Sequence, residues 1–289
     1  MKKLLIIGKN SYVGTSVRAY LEAAGGFSVS EVGTEHGEWR DFDFSLFDCV
    51  YHVAGIAHSD TGSMSEAQQA NYFSVNTDLA VACAEKAKAA GVRQFIFMST
   101  SLVYGRAARI GDEMRITAES EPAPFNIYGE SKLRAEKGIL ALADESFRPL
   151  ILRCPMIYGK NCKGNFPVME KYARLAFFFP KIKNERSMLY IGNLAEYVRL
   201  AAENGDEGIF TPCNREYSNT SELIRMIRAA KGKKTVLVPG FNRLFALLSR
   251  GSNSIAKAFG NFTFAEGLGS REPDYRVYTL EQSIKDTVN

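Results

Sequence analysis

Short apolar runs alternate with stretches of helical periodicity from the first residues of the chain onward. Leu4-Leu5-Ile6-Ile7 is unbroken and ends on Gly8, the pattern of a strand buried on both faces of a parallel sheet. Similar runs predict strands over 27–32, 49–53, 95–99 and 150–154, and helical spacing between them predicts helices over 14–24, 65–90 and 126–143. Strand and helix in alternation define an α/β fold around a doubly wound parallel sheet. Beyond Tyr158 the periodicity loosens, through 161–165, Phe177-Phe178-Phe179-Pro180 and 241–261. Internal repeats and low-complexity stretches are absent.

Composition narrows this only a little. With 289 residues, 46% of them hydrophobic, the chain can bury a full core, and one doubly wound domain with a smaller appendage is the expected size. No run approaches a membrane span, and Met1-Lys2-Lys3 leads straight into the first strand without the cleavage site of a signal peptide. Five cysteines without a CxxC pair read as reduced thiols, so a cytoplasmic protein is expected. Three histidines without ligand spacing give no metal site. A net charge of +4 without a basic stripe fits an anionic small substrate better than nucleic acid.

The candidate chemistry lies in Tyr128-Gly129-Glu130-Ser131-Lys132, preceded by Ser99-Thr100-Ser101-Leu102-Val103-Tyr104-Gly105. Tyr128 and Lys132 are one helical turn apart and share a helix face. A lysine beside a tyrosine favours the phenolate, whose free pKa of about 10 is too high for a base at neutral pH. Thr100, at the end of an apolar strand, can hydrogen-bond the substrate oxygen that exchanges the proton. A solvated surface pair is the bland alternative for Tyr128 and Lys132. Upstream, Gly8 and Gly14 flank Lys9-Asn10-Ser11-Tyr12-Val13 and fit a phosphate turn, where backbone approaches a pyrophosphate and the following helix supplies free N–H groups. Ser11 stands where the middle glycine of such a turn usually falls, either donating to a phosphate or tightening the turn.

Together these pieces resemble the extended short-chain dehydrogenase/reductases of the nucleotide-sugar epimerase/dehydratase type, UDP-glucose/UDP-galactose 4-epimerases among them. The similarity runs in register from Leu4 to about Asn193 and covers six pieces in order: Gly8 to Gly14, His52-Val53-Ala54-Gly55, Asn76, Ser99 to Gly105, Tyr128 to Lys132, and Arg153-Cys154-Pro155-Met156-Ile157-Tyr158-Gly159. It implies a Rossmann-type domain over 1–160 and a smaller C-terminal substrate-binding lobe over 161–289, with about 186–213 returning to the first domain. It implies NAD, with NADP not excluded, held by Gly8, Asn10, Ser11, Tyr12, Val13, Gly14, Ala54, Gly55, Asn76, Ser99, Tyr128, Lys132 and Pro155. Thr100, Tyr128 and Lys132 are the implied catalytic residues. The implied partner is a nucleotide-diphosphate sugar, met by Thr100, Asn165 and Arg186, and a homodimer is compatible. For Asn76 the alternative is a polar helix residue facing a loop carbonyl; for Asn165 and Arg186 it is plain surface.

The sequence departs from the family at the end of the second predicted strand. An acid there takes the adenosine ribose of NAD, whereas a basic residue accommodates the phosphate of NADP. Gly33 occupies that place, leaving Glu31 or Glu35 to serve; NAD is favoured because the only basic residue nearby is Lys9. His58 is a second candidate for ligand contact, against a structural loop histidine. Phe241 to Arg250 is amphipathic and basic and reads as a helix roofing a substrate pocket rather than one lying on a membrane.

Ser101-Leu102 follow Thr100 where 4,6-dehydratases carry Asp-Glu, so dehydration is not expected. Met156 stands where galactose epimerases carry a substrate-binding Asn, which leaves the sugar open. The first expectation is an NAD-dependent C4 epimerase of UDP-hexose type acting through a transient 4-keto sugar. The second is an NAD(P)H-dependent reductase of a nucleotide 4-keto-6-deoxy sugar, and a remote third is a non-catalytic dinucleotide sensor.

Overall fold

In a computed structural model that describes residues 1–57 and 64–289, the first apolar run forms strand β1 (Lys2–Ile7), with Leu4 to Ile7 wholly out of solvent. Strands β2 (Phe27–Val32), β3 (Cys49–His52), β4 (Gln94–Thr100), β5 (Arg148–Cys154) and β6 (Gly208–Phe210) join it in a parallel sheet of order β6-β5-β4-β3-β1-β2. The chain steps from β1 outward to β2, then returns to the other side of β1 for β3. That reversal is a topological switch point, where the strand ends of an open α/β sheet leave a crevice. Ala54 N donates to the Ile7 carbonyl at 3.0 Å and Gly8 N to the Val32 carbonyl at 3.0 Å, so the segments after β1 and β3 lie side by side there.

The predicted helix over 14–24 is Tyr12–Ala24, capped by Ser11, and that over 126–143 is Ile127–Leu140, capped by Asn126. The long pattern over 65–90 is Glu66–Phe73 and Leu79–Ala89, joined by a π turn at Ser74–Asp78. Two pieces escaped the hydrophobic pattern. β6 has three residues, too few to show alternation; the helix Ile191–Asn204 before it lays Tyr197 flat on Phe210, ring centres 4.5 Å apart. Between β2 and β3 a short helix Glu38–Asp41 and a 3-10 turn Phe44–Leu46 bury Trp39 and Phe44 in the core instead of adding a strand.

Contacts divide the chain into two units. The sheet unit holds Met1–Gly105, Glu121–Cys154 and Leu194–Pro212; the other holds Arg106–Ser120, Pro155–Asn193 and Cys213–Asn289. Residues 106–120 and 155–160, placed by sequence in the first domain, thus group with the second unit, and the returning segment is 194–212. The second unit is built of two-stranded parallel ribbons, Met156–Tyr158 with Met188–Tyr190, Phe178–Pro180 with Val236–Val238, and Arg115–Ile116 with Thr263–Phe264, among short helices. Its interior includes the Tyr158 hydroxyl, which accepts from Asn214 Nδ2 at 2.9 Å, and a cluster of Ile110, Ile182 and Phe259. Among the described residues no helix is long and apolar enough to cross a membrane.

Candidate active site

The turn after β1 is shaped by what cannot fit in it. Gly8 has φ +122°, and a Cβ there would lie 2.8 Å from the Ala54 nitrogen; one at Gly14 would lie 2.6 Å from Ser11 Oγ and 3.0 Å from Ile6 Cγ2. Asn10 adopts the left-handed conformation at φ 62°, and Ser11 Oγ accepts from Gly14 N at 3.0 Å, so Ser11 tightens the turn as the helix cap. The first N–H groups of the Tyr12–Ala24 helix, at Tyr12 and Val13, lie in the turn that lacks i−4 carbonyl partners. A bare backbone, closely approached from both sides and ending on a helix N-terminus, fits a dinucleotide's diphosphate. Gly14→Val is expected to displace the Ser11 cap and abolish dinucleotide binding while far-UV circular dichroism still reports a folded chain; unchanged affinity by calorimetry counts against the placement.

The sheet unit brings Thr100, Tyr128 and Lys132 together. Thr100 ends β4, its Oγ1 accepts from Leu102 N at 3.2 Å, and its hydroxyl lies near enough to the Tyr128 phenol to ease that phenol's ionisation. Tyr128 lies in the first turn of Ile127–Leu140, held by Gly129 N donating to Asn126 Oδ1 at 2.8 Å. Gly129 has a steric reason: a Cβ there would stand 2.7 Å from the Leu102 carbonyl, so glycine lets this helix lie against the Ser101–Tyr104 turn after Thr100. Lys132 Nζ donates to the Met98 carbonyl at 2.8 Å and sits 4.5 Å over the Phe97 ring.

The electrostatics differ from the sequence expectation that Lys132 eases ionisation of the phenol. Burial pushes Tyr128 up to about 12, and the nearby Thr100 hydroxyl opposes it without prevailing. Burial also draws Lys132 down to about 8, against the attraction of Glu136. With its ammonium committed to a carbonyl and a ring face, Lys132 does not offset the desolvation of Tyr128.

Ala54 and Gly55 follow β3, and a Cβ on Gly55 would lie 2.9 Å from Asn76 Oδ1 and 3.3 Å from Lys132 Nζ. Asn76, buried on the π turn, accepts from Ile56 N at 2.8 Å and donates to the Ile56 carbonyl and Ser131 Oγ, both at 3.1 Å. It ties the loop after β3 to the Ile127–Leu140 helix. The Ser99 hydroxyl donates to Glu136, whose buried carboxylate pairs with Arg153 at 2.7 Å; Arg153 Nη1 donates to the Tyr104 hydroxyl at 2.9 Å. The Ser99 side chain is thereby engaged within the protein. Sequence reading missed this pair, although Glu136 stands one turn beyond Lys132 on the same helix face.

At the end of β2, Glu31 is held by Arg18 at 3.3 Å and Glu35 is exposed. A carboxylate nevertheless reaches Gly33. Glu38, from the helix Glu38–Asp41, places Oε2 2.9 Å from where a Cβ of Gly33 would be. His58 lies outside the described residues.

In the second unit Pro155 follows β5 directly and Asn165 is exposed at the first position of the helix Asn165–Leu175. Arg186 is half-buried, its backbone bridged to Ser218 and Phe262 and its guanidinium donating to the Lys257 carbonyl. Burial lowers its pKa, and no carboxylate works in the other direction.

A parallel sheet with a glycine-lined turn at its switch point, and a Thr-Tyr-Lys group on the neighbouring strand and helix, define an NAD(P)-dependent enzyme of the extended short-chain dehydrogenase/reductase type. The chain belongs to the NAD dependent epimerase/dehydratase family, whose model matches residues 4–211. It is 27% identical to the UDP-glucose 4-epimerase of Vibrio cholerae, over 99% of this chain and 94% of that one. It is also 27% identical to the N-acetyl-alpha-D-glucosaminyl-diphospho-ditrans,octacis-undecaprenol 4-epimerase of Escherichia coli O157:H7, over 80% of this chain and 73% of that one. Among solved structures, a dTDP-4-dehydrorhamnose reductase from Clostridium acetobutylicum superposes with a TM-score of 0.75 at 16% identity, covering 99% of this chain and 98% of that one.

Proposed function

We propose that the protein is an NAD-dependent C4 epimerase of a nucleotide-linked hexose. The observation that carries this reading is the placement of Thr100 at the end of β4 beside Tyr128, with Lys132 one turn further on the same helix. Bound NAD supplies the acceptor for the C4 hydride and its return. Tyr128 Oη takes the proton of the 4-hydroxyl and gives it back after the keto sugar has turned over. Thr100 Oγ, beside that phenol, bridges the sugar oxygen and fixes the path of the proton. Lys132 Nζ, beside Gly55, holds the ribose end of the cofactor. Ser101 and Leu102, neither an acid nor a base, follow Thr100 in the turn, so loss of water from the sugar has no agent there. The curated relative from Vibrio cholerae carries a 4-epimerase name, which supports the same reaction.

One observation favours a second reading. Met156 replaces the substrate amide expected of galactose epimerases, and a 4-keto sugar reductase needs the same three residues. The fate of the cofactor separates them: purified enzyme that carries NAD and interconverts sugars with no net redox change is an epimerase, and consumption of added NAD(P)H by a 4-keto sugar identifies a reductase.

Glu38 supports the choice of NAD. Its carboxylate stands at Gly33, where an acid on the strand itself would otherwise meet the ribose hydroxyls, and it would repel the phosphate of NADP. Glu38→Ala is expected to weaken NAD binding by about 1.5 to 3 kcal/mol, the range for a hydrogen bond to a charged group, and to leave NADP unchanged or tighter. Calorimetry with both dinucleotides checks this, and equal losses for both would argue that Glu38 only shapes the loop.

A further inference from the structure

The second unit keeps much of its large apolar surface in solvent, gathered on neighbouring pieces of chain. On the helix Asn165–Leu175, Tyr172 and Leu175 share a face and are 67% and 89% exposed. Three residues on, Phe178 is 65% exposed and stands in register with exposed Val236 across the ribbon Phe178–Pro180 with Val236–Val238. That ribbon leads through Pro239-Gly240 into the helix Asn242–Gly251, where Leu244, Leu247 and Leu248 are all exposed, Leu247 at 62%. The same helix is anchored by its other side, Phe245 packing edge-on against Phe259 at 5.2 Å within the cluster that includes Ile182. Its inner face covers the second unit, as a roofing helix would. Its outer face is apolar with nothing inside the second unit to require it.

Charge identifies what this face meets. Between Glu222 and Glu266 the chain has eight Lys and Arg and no acid; Arg225 pairs with Glu222, Lys231 pairs with Glu170 and Arg228 is buried, and the other five include Lys233, Lys234, Arg243 and Arg250. Arg243 and Arg250 stand exposed seven apart on the same helix, and exposed Lys233 and Lys234 lead into the Val236–Val238 strand. A second copy docking face to face would bring two sets of these cations together. Apolar side chains flanked by Arg and Lys are instead the make-up of a segment that lies in the boundary of a bilayer, with leucine and phenylalanine among the acyl chains and the cations at anionic headgroups. From this juxtaposition we propose that the Phe178–Val236 ribbon and the Asn242–Gly251 helix dock the enzyme onto the surface of a bilayer containing anionic lipids. The attachment is peripheral and is independent of which sugar reaction the enzyme performs.

Flotation of the purified full chain with phosphatidylcholine vesicles, with and without phosphatidylglycerol, tests this. The wild type is expected to float with the anionic vesicles, less so at high salt. The double variants L247E/L248E and R243E/R250E should each lose at least tenfold in vesicle binding while keeping wild-type NAD affinity and circular dichroism. Failure to float with anionic vesicles, or flotation unchanged in both variants, would overturn the proposal. So would a self-associated wild type in sedimentation whose dissociation by L247E/L248E shows the face to be an interface between copies.

Discussion

Replacing Tyr128 by phenylalanine is expected to lower turnover by about 10²-fold or more, the typical contribution of a positioned general acid and base. Dinucleotide affinity should hardly change, because the variant removes one oxygen and leaves Lys132 and the glycine turn intact. The size of the effect follows from what surrounds that oxygen. It lies beside Thr100, and burial raises its pKa to about 12, so it keeps its proton at neutral pH. In the cofactor-free protein the phenol is un-ionised at neutral pH. Lys132, at about 8, loses its charge as the pH rises through that value, so the pair is never charged together. A positive charge brought beside them, as an oxidised nicotinamide would bring, lowers the tyrosine. Tyrosinate absorbance taken as wild type minus variant should therefore titrate at lower pH with NAD present. Near-normal turnover of Tyr128→Phe would sink the mechanism.

The elements that carry this chemistry were legible because they are regular and long enough to show a period. β1, β4 and the Ile127–Leu140 helix all stand within two or three residues of their predicted bounds, and the cap at Asn126 and the π turn at Asn76 fall inside predicted helix or at its edge. What was not legible depends on approach through space. Glu38 reaches Gly33 from a four-residue helix with no periodic signal. The link from Ser99 through Glu136 to Arg153 and Tyr104 joins residues from two strands, a helix and a turn. The pKa of Tyr128 was misjudged for the same reason: spacing placed a lysine on the right helix face, but only burial decides how much the phenolate costs, and spacing carries no record of burial. The second unit resisted reading because its ribbons have two or three residues per strand and pair pieces of chain far apart, such as Phe178 with Val236.

Arg186→Ala is expected to weaken binding of a nucleoside diphosphate by about 2 to 4 kcal/mol, the range for removing one partner of a buried, hydrogen-bonded charge pair. The guanidinium is partly desolvated, its pKa lowered by burial with no carboxylate to restore it, and its hydrogen bond to the Lys257 carbonyl occupies one of five donors. A cation kept this way is costly unless an anion completes it, and two phosphate groups presented to the free edge of a planar fork would do so. Arg186→Lys should recover only part of the loss, because an ammonium cannot make the forked contact. The fold should tolerate both changes, since the bonds that seat this residue, Arg186 N to the Ser218 carbonyl and Ser218 N back to Arg186, each 2.9 Å, belong to the backbone. Titration with UDP and with NAD separates the two sites: the loss belongs to UDP alone. An equal loss for both ligands, or a loss confined to NAD, would show that Arg186 holds its own unit together rather than the substrate.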